Sequence, residues 1–216
     1  MGTSASEILT HPLYALPKPV AAINPSFCSP TPVTLQLREK AWAISGDDAT
    51  IRGAHTGQLY FRIEASALSM TDRKVLLDIN NQPVVHMRDE LFSFTPSIKI
   101  SSDYDSKHAL FRIKAKATLS DIVLECKFPN ASTGTECRLG LHGDWRARAA
   151  IIWLDEGNDE KVPVARIYRP TTTLRNEKDY YLDITPNVDM ALMVLICVAL
   201  DEANKDNNTP NTFVLT

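Results

Sequence analysis

Val188-Asp189-Met190-Ala191-Leu192-Met193-Val194-Leu195-Ile196-Cys197-Val198-Ala199-Leu200 is the stretch of this sequence that decides the fold. It contains eleven consecutive apolar residues, from Met190 to Leu200, which is too few to span a bilayer, since that takes about 20. The run has no polar face, so a helix made from it needs apolar neighbours on every side. The preceding residues suit a helix start, with Asn187 as the N-cap and Asp189 in the first turn. The sequence therefore predicts one buried helix near residues 187–204.

The chain from residue 33 onward has the pattern of a β protein. About twelve short runs alternate between apolar and polar residues, as in Leu59-Tyr60-Phe61-Arg62-Ile63-Glu64, and Gly, Asn, Asp and Pro clusters separate many of them. An eight-stranded barrel is filled by its own side chains, but a can of about eleven strands has room for a helix. A sandwich is the alternative, although it would leave one face of the helix wet. The inventory favours a mainly β fold, a closed antiparallel barrel of about twelve strands around a central hydrophobic C-terminal α-helix.

Residues 1–32 differ from the rest of the chain in composition. They hold six of the 13 prolines and little charge, which predicts a flexible, mostly extended arm ahead of a barrel domain over residues 33–216. The start, Met1-Gly2-Thr3-Ser4-Ala5-Ser6, fits the myristoylation pattern, so Gly2 is a candidate for acylation, with a chance match as the alternative. The net charge of −3 and the pI near 6.0 give no global signal for nucleic-acid binding.

Several segments, taken in order, resemble the LURP-one-related family, which has a Tubby C-terminal-like fold. The segments are Pro25-Ser26-Phe27-Cys28, Lys40-Ala41-Trp42-Ala43-Ile44, Thr56-Gly57-Gln58-Leu59-Tyr60-Phe61-Arg62-Ile63, Arg73-Lys74-Val75-Leu76-Leu77-Asp78, Pro83-Val84-Val85-His86-Met87-Arg88-Asp89-Glu90, Pro186-Asn187-Val188-Asp189 and Leu200-Asp201-Glu202-Ala203-Asn204. The resemblance implies a twelve-stranded barrel around a hydrophobic helix. Proteins with Tubby-like folds bind phosphoinositides through basic residues, but no Tubby lipid-binding position aligns residue by residue with this chain, and a shared fold does not transfer an activity.

The sequence contains no assembled catalytic motif. The five histidines lack metal-ligand spacing, and no phosphate-binding or nucleophile-elbow pattern is present, so we expect a non-enzyme without metal or cofactor. Cys28 is an isolated candidate nucleophile without a nearby base. The N-terminus lacks a signal-peptide pattern, so we expect a cytoplasmic protein with reduced thiols, and a disulfide between Cys126 and Cys137 across a hairpin is the alternative.

Basic residues on predicted strands are the best functional candidates. Alternation places the cations of Phe111-Arg112-Ile113-Lys114-Ala115-Lys116 on one strand face, and cations near a membrane gain about 1 kcal/mol each from anionic lipid. The ordinary alternative is a wet strand face that resists aggregation. The candidate lipid-binding residues are Arg73, Lys74, Lys99, Arg112, Lys114 and Lys116.

Three functional hypotheses follow. The first is a membrane-associated module that binds anionic phospholipid or phosphoinositide, with an acyl chain on Gly2 as a second attachment, because a chain plus a basic patch holds a protein stably. The second is a scaffold whose arm docks protein partners through a Pro-rich segment such as Leu16-Pro17-Lys18-Pro19. The third is a carrier that holds a small apolar ligand beside the helix, inside the barrel.

Overall fold

The computed structural model describes residues 8, 10–38, 49–65, 73–90, 97–105, 107–117, 122–144, 148–169 and 179–206, with side chains at 116–117, 122 and 204–206 left out. These parts of the chain contain twelve strands and a C-terminal helix, α1, over Met190–Asp206. The strands are β1 Val33–Arg38, β2 Ala49–Gly53, β3 Leu59–Ala65, β4 Arg73–Leu77, β5 Pro83–Asp89, β6 Ser97–Ser101, β7 Ala109–Ala117, β8 Ile122–Pro129, β9 Glu136–Asp144, β10 Ala149–Asp155, β11 Val162–Tyr168 and β12 Asp179–Ile184.

The twelve strands form one closed antiparallel barrel. Each strand pairs with the next one along the chain, and β1 closes the barrel by pairing with β12 over Val33–Arg38. Alternation sorts the side chains between the two sides of the wall. In β7, Phe111 and Ile113 are buried in the interior, whereas Arg112 and Lys114 are exposed on the outer face. The predicted closed barrel is confirmed, and the sandwich alternative is excluded.

Helix α1 fills the interior of the barrel. Every side chain from Ala191 to Ala203 is buried, and Met193 and Ile196 have no exposed surface. Burying a Leu, Ile or Met side chain of this kind stabilises the fold by about 1.5–3 kcal/mol, so the helix is a major part of the core. The helical residues of the described chain fall short of the length and apolarity that a membrane crossing requires.

The start of α1 differs in detail from the prediction. Asp189, expected inside the first turn, is the capping residue, since its Oδ1 accepts hydrogen bonds from the backbone N–H groups of Ala191 (3.0 Å) and Leu192 (3.2 Å). Its Oδ2 accepts a third from the N–H of Ile23 (3.0 Å). Asn187, the predicted N-cap, instead has a left-handed backbone with φ of 67° and donates its side-chain amide to another segment. The predicted cap was therefore two residues too early.

The other end of α1 is fixed by a buried ion pair. Arg148, almost fully buried, donates from Nη2 to Oδ1 of Asp201 at 2.7 Å. The hydroxyl of Tyr180 donates to Oδ2 of the same carboxylate at 3.3 Å, and the Arg148 guanidinium lies 5.1 Å from the centre of the Tyr180 ring. A buried pair of this kind is costly to break, because removing one partner leaves an unpaired charge in the core.

The N-terminal arm packs against the barrel. Ile8 is buried in a small cluster on the outer wall. The segment over residues 10–32 continues across the barrel end at which α1 begins, where the side chain of Asn187 donates to the carbonyl of Leu16 at 2.7 Å. The N–H of Val20 donates to the carbonyl of Asn187 at 2.8 Å. The described part of the arm is therefore docked, whereas its prolines had predicted a flexible segment, because backbone hydrogen bonds tie it to the turn before the helix.

Candidate functional site

Six cations lie side by side across the outer face of the barrel. Strand register pairs each of them directly with the cation on the next strand, from β4 to β9. Neighbouring strands are about 4.8 Å apart, so five intervals extend over about 24 Å. We call this set the cationic row, and its members are Arg73, Arg88, Lys99, Arg112, Lys127 and Arg138.

The cationic row carries an energetic cost in the isolated barrel. Like charges directly opposite each other on neighbouring strands are destabilising, on the scale of roughly 0.2–1 kcal/mol per pair. Glutamates offset part of this repulsion. Their ion pairs with it are Arg112–Glu90 at 3.1 Å, Lys127–Glu125 at 3.9 Å and Arg138–Glu136 at 3.9 Å.

Glu90 is held in its charged form by this environment. Partial burial raises the pKa of its carboxyl, but hydrogen bonds from Ser97 and Arg112, together with the charge of Lys99, outweigh burial and lower the pKa below its ordinary value. The pair with Arg112 therefore persists at neutral pH, and the half of the row near β7–β9 is partly neutralised.

The structure brings three of the predicted residues, Arg73, Lys99 and Arg112, into the cationic row. Lys114 lies beside the row on the same outer face of β7 and is 3.8 Å from a carboxylate oxygen of Glu125. Lys116 is on β7, but its side chain is outside the described part of the structure, and the same holds for the whole of Gly2.

Lys74 does not belong to the outer surface. Only 6% of the residue is exposed, and its ammonium lies 3.1 Å from a carboxylate oxygen of Glu202 near the end of α1. The residue shares the inward face of β4 with Leu76, which is fully buried. The alternation of β4 therefore places Lys74 inside the barrel, on the opposite face from Arg73. The prediction that Lys74 binds lipid together with Arg73 was wrong.

Sequence reasoning missed Arg88, Lys127 and Arg138. Each stands alone among neutral or acidic neighbours along its own strand, so no cluster of basic residues appears in the linear sequence. They become adjacent only through strand register, which joins residues far apart in the chain. The alternating pattern places each of them on an outer face, but the pairing of strands was needed to align them.

The four cysteines are free thiols, so the disulfide considered for Cys126 and Cys137 is not formed. Burial, with a contribution from the Asp189 carboxylate, raises the pKa of Cys28 to about 12. Burial likewise raises the pKa of Cys126 to about 12 and that of Cys137 to about 11. These thiols are protonated at neutral pH, which makes them poor nucleophiles.

The architecture defines the class of protein as a twelve-stranded antiparallel barrel wound around a hydrophobic C-terminal helix, with a row of cations on its outer face. The chain belongs to the LURP-one-related family, whose model matches residues 33–201.

Similar proteins cover most of the chain. Protein LURP-one-related 15 of Arabidopsis thaliana is 21% identical over 188 residues, which are 86% of this chain and 86% of that protein. Protein LURP-one-related 10 of the same plant is 20% identical over 193 residues, which are 88% of this chain and 99% of that protein. The X-ray structure of an Arabidopsis thaliana protein superposes with a TM-score of 0.59 at 20% identity, covering 85% of this chain and 98% of that one, and this likeness concerns the fold alone.

Proposed function

We propose that this protein is a non-enzymatic module that binds anionic phospholipid or phosphoinositide at a membrane surface through the cationic row. The alignment of six cations across six consecutive strands supports the proposal. Five adjacent like-charge pairs destabilise the barrel, and a polyanionic partner turns that repulsion into attraction.

The expected strength of this interaction is moderate. The wall of a barrel curves, so a flat bilayer contacts only part of the row at one time. Three cations in contact contribute about 3 kcal/mol at about 1 kcal/mol each. Stable attachment therefore calls for a second signal, and an acyl chain on Gly2 is the one that the N-terminal sequence offers.

The experiment is vesicle flotation with and without anionic lipid, using two matched charge reversals. Arg112 is 50% exposed and forms an ion pair at 3.1 Å, and Arg38, on β1, is 54% exposed and forms one with Asp179 at 3.3 Å. Six strand intervals separate β7 from β1 in the closed barrel, so the two residues lie on opposite sides.

Arg112→Glu removes one attraction and adds one repulsion, which together weaken binding by about 2 kcal/mol or roughly 30-fold. Arg38→Glu makes the same change in net charge and leaves binding nearly unchanged. Equal losses from both variants would show that net charge acts without the row. If neither the unmodified nor the myristoylated protein bound anionic vesicles, the proposal would be rejected.

A second candidate function is a scaffold that docks protein partners through the arm. On the docked arm, Leu16 is buried while Pro17, Lys18 and Pro19 are exposed, so this short Pro-rich segment is presented on a fixed support. Pull-down with Pro17→Ala and Pro19→Ala tests it, with loss of protein partners and retention of vesicle binding as the expected result. Partners that remain bound to the double variant would reject the scaffold.

A further inference from the structure

A small pocket lies at the β4 end of the cationic row, on the outer wall. Its volume is about 150 Å³, and Glu64, Arg73, Val75, His86 and Tyr104 are among its lining residues. A cavity of about this size in another protein holds a molecule as small as benzene. The pocket therefore has room for one small group and is too small to enclose a multiply phosphorylated ring.

Strand register builds the wall side of this pocket. Glu64 on β3 pairs with Val75 on β4, which pairs with His86 on β5. Two strand intervals of about 4.8 Å separate Glu64 from His86, so their backbones are about 10 Å apart, with the apolar side chain of Val75 on the strand between them. Arg73 lies two residues before Val75 and faces the same way, which adds a guanidinium at the edge.

Tyr104 covers the pocket from the β6–β7 loop. Its ring centre lies 4.8 Å from Cζ of Arg73 and 5.9 Å from the centre of the His86 ring. The loop is fixed by Asp103, whose carboxylate accepts hydrogen bonds from the backbone N–H groups of Lys107 (2.8 Å) and His108 (3.1 Å). The Tyr104 ring is therefore held over the pocket although 59% of the residue is exposed.

The pocket presents opposite charges to one small occupant. Arg73 supplies a planar set of donors that suits a phosphate, and Glu64 supplies an acceptor for an ammonium group. Partial burial lowers the pKa of His86, although the charge of Asp103 opposes it, so the imidazole is neutral at pH 7 and donates one hydrogen bond. A simple anion would be attracted by Arg73 but repelled by Glu64.

We propose that this pocket, covered by Tyr104, binds a group that joins one phosphate to one primary amine, as in phosphatidylethanolamine, phosphatidylserine or free phosphoethanolamine. Arg73 and His86 hold the phosphate, Glu64 holds the ammonium, and Tyr104 covers the group. For a lipid headgroup, this inference rests on the proposed membrane function, since the cationic row brings the pocket to the bilayer.

The test compares two kinds of phosphatidylcholine vesicle that carry equal amounts of phosphatidylserine or phosphatidylglycerol. Both lipids have one net negative charge, but only phosphatidylserine has an amine, so attraction to the row is the same. The full-length protein is expected to prefer phosphatidylserine about tenfold, the effect of one charge-assisted hydrogen bond.

Two variants should abolish that preference. Glu64→Gln removes the acceptor for the ammonium group, and Tyr104→Ala removes the cover at an exposed loop position where folding is not at risk. Glu125→Gln is the matched control, since it removes the same charge from an outer-wall glutamate with its side chain 53% exposed, away from the pocket. It should strengthen binding to both vesicles alike and leave the preference unchanged.

The outcomes separate the pocket from the proposed function. Equal binding to the two vesicles would overturn the proposal for the pocket and leave membrane binding through the cationic row unaffected. A preference for phosphatidylserine that survives both Glu64→Gln and Tyr104→Ala would do the same. If neither the unmodified nor the myristoylated protein bound either vesicle, the membrane function would be rejected, and a titration with free phosphoethanolamine would then test the pocket by itself. Shifts of the His86 ring signals in nuclear magnetic resonance would support it, and their absence at millimolar phosphoethanolamine would overturn it.

Discussion

The buried carboxyl group of Asp189 should make stability depend on pH in an unusual direction. Asp189 has no exposed surface, and burial raises its pKa from an ordinary 3.8 to about 6, although hydrogen bonds from the backbone N–H groups of Ile23, Leu192, Asn24 and Ala191 oppose the rise. The folded state therefore binds the proton more tightly than the unfolded state does. The resulting stabilisation is complete below pH 3.8 and is lost as the pH rises through about 6.

The size of this effect follows from the two pKa values. The difference between 6 and 3.8 is about 2.2 pH units, and at about 1.36 kcal/mol per unit the free energy of unfolding changes by about 3 kcal/mol. The thiol of Cys28, which the Asp189 charge influences, has a pKa of about 12 and stays neutral throughout this range.

Asp189→Asn removes the titration and keeps an acceptor for the first turn of α1. An Asn oxygen caps a helix about as well as a carboxylate, but its amide nitrogen cannot accept the hydrogen bond from Ile23, which costs about 1–3 kcal/mol at every pH. The variant should therefore be the less stable protein at pH 4 and should gain about 2 kcal/mol relative to the wild type between pH 4 and pH 7, most of the full effect.

Urea unfolding of both proteins across this pH range measures the effect, and taking their difference cancels the other titrating groups. A difference that stays constant with pH would refute the reasoning, because it would mean that the folded carboxyl titrates as it does in the unfolded chain. A difference of opposite sign would mean that the capping hydrogen bonds outweigh burial.

Three further predictions concern the core and the wall. Gly140→Ala should destabilise the barrel by about 1–3 kcal/mol in urea unfolding, because a Cβ there would lie 2.0 Å from the Trp153 ring; an unchanged midpoint would show that the ring moves away freely. Asp201→Ala should lower the free energy of unfolding by about 3–5 kcal/mol in the same measurement, since it removes the carboxylate partner of the buried Arg148 guanidinium. A loss below about 1 kcal/mol would argue against a desolvated pair. In the native protein the three buried thiols, Cys126, Cys137 and Cys197, should react slowly with a thiol reagent at neutral pH, Cys197 on the central helix most slowly of all, and unfolding should expose all four thiols; rapid labelling of these three in the folded chain would contradict their burial.

The main elements of the fold were predictable from the sequence, because each depends on local periodicity. The alternating run quoted from Leu59 to Glu64 lies within strand β3, Leu59–Ala65, and the apolar run is buried from Ala191 to Leu200 as expected. The helix cap was not predictable in the same way. Asn187 has the chemistry of a cap, but its contact with the distant Leu16 takes its side chain away from the helix, and only the tertiary structure shows that choice.

The candidate site was less accessible to sequence reasoning than the fold. Arg112 and Lys114 stood out because they alternate along one strand, whereas the cationic row runs across strands and depends on their register. A shift of one residue in the predicted register between β7 and β8 would place Lys127 on the other face of the wall from Arg112. The interior position of Lys74 was available from its alternation with Leu76, but its partner Glu202 could be found only once the helix was placed inside the barrel.

Closure of this barrel has a consequence for how the protein is made. The first strand pairs with the twelfth, and the filling of the barrel is contributed by the helix that follows, so the ribosome must produce every residue from β1 to α1 before the barrel can close around its helix. Until then the nascent sheet has a wet apolar face and two unpaired edges, which are templates for association between chains. Such distant pairing also makes folding slow. Helix α1 thus determines whether the strands made before it stay folded, and a chain that stops before residue 190 should be captured by chaperones or degraded instead of persisting as a smaller barrel.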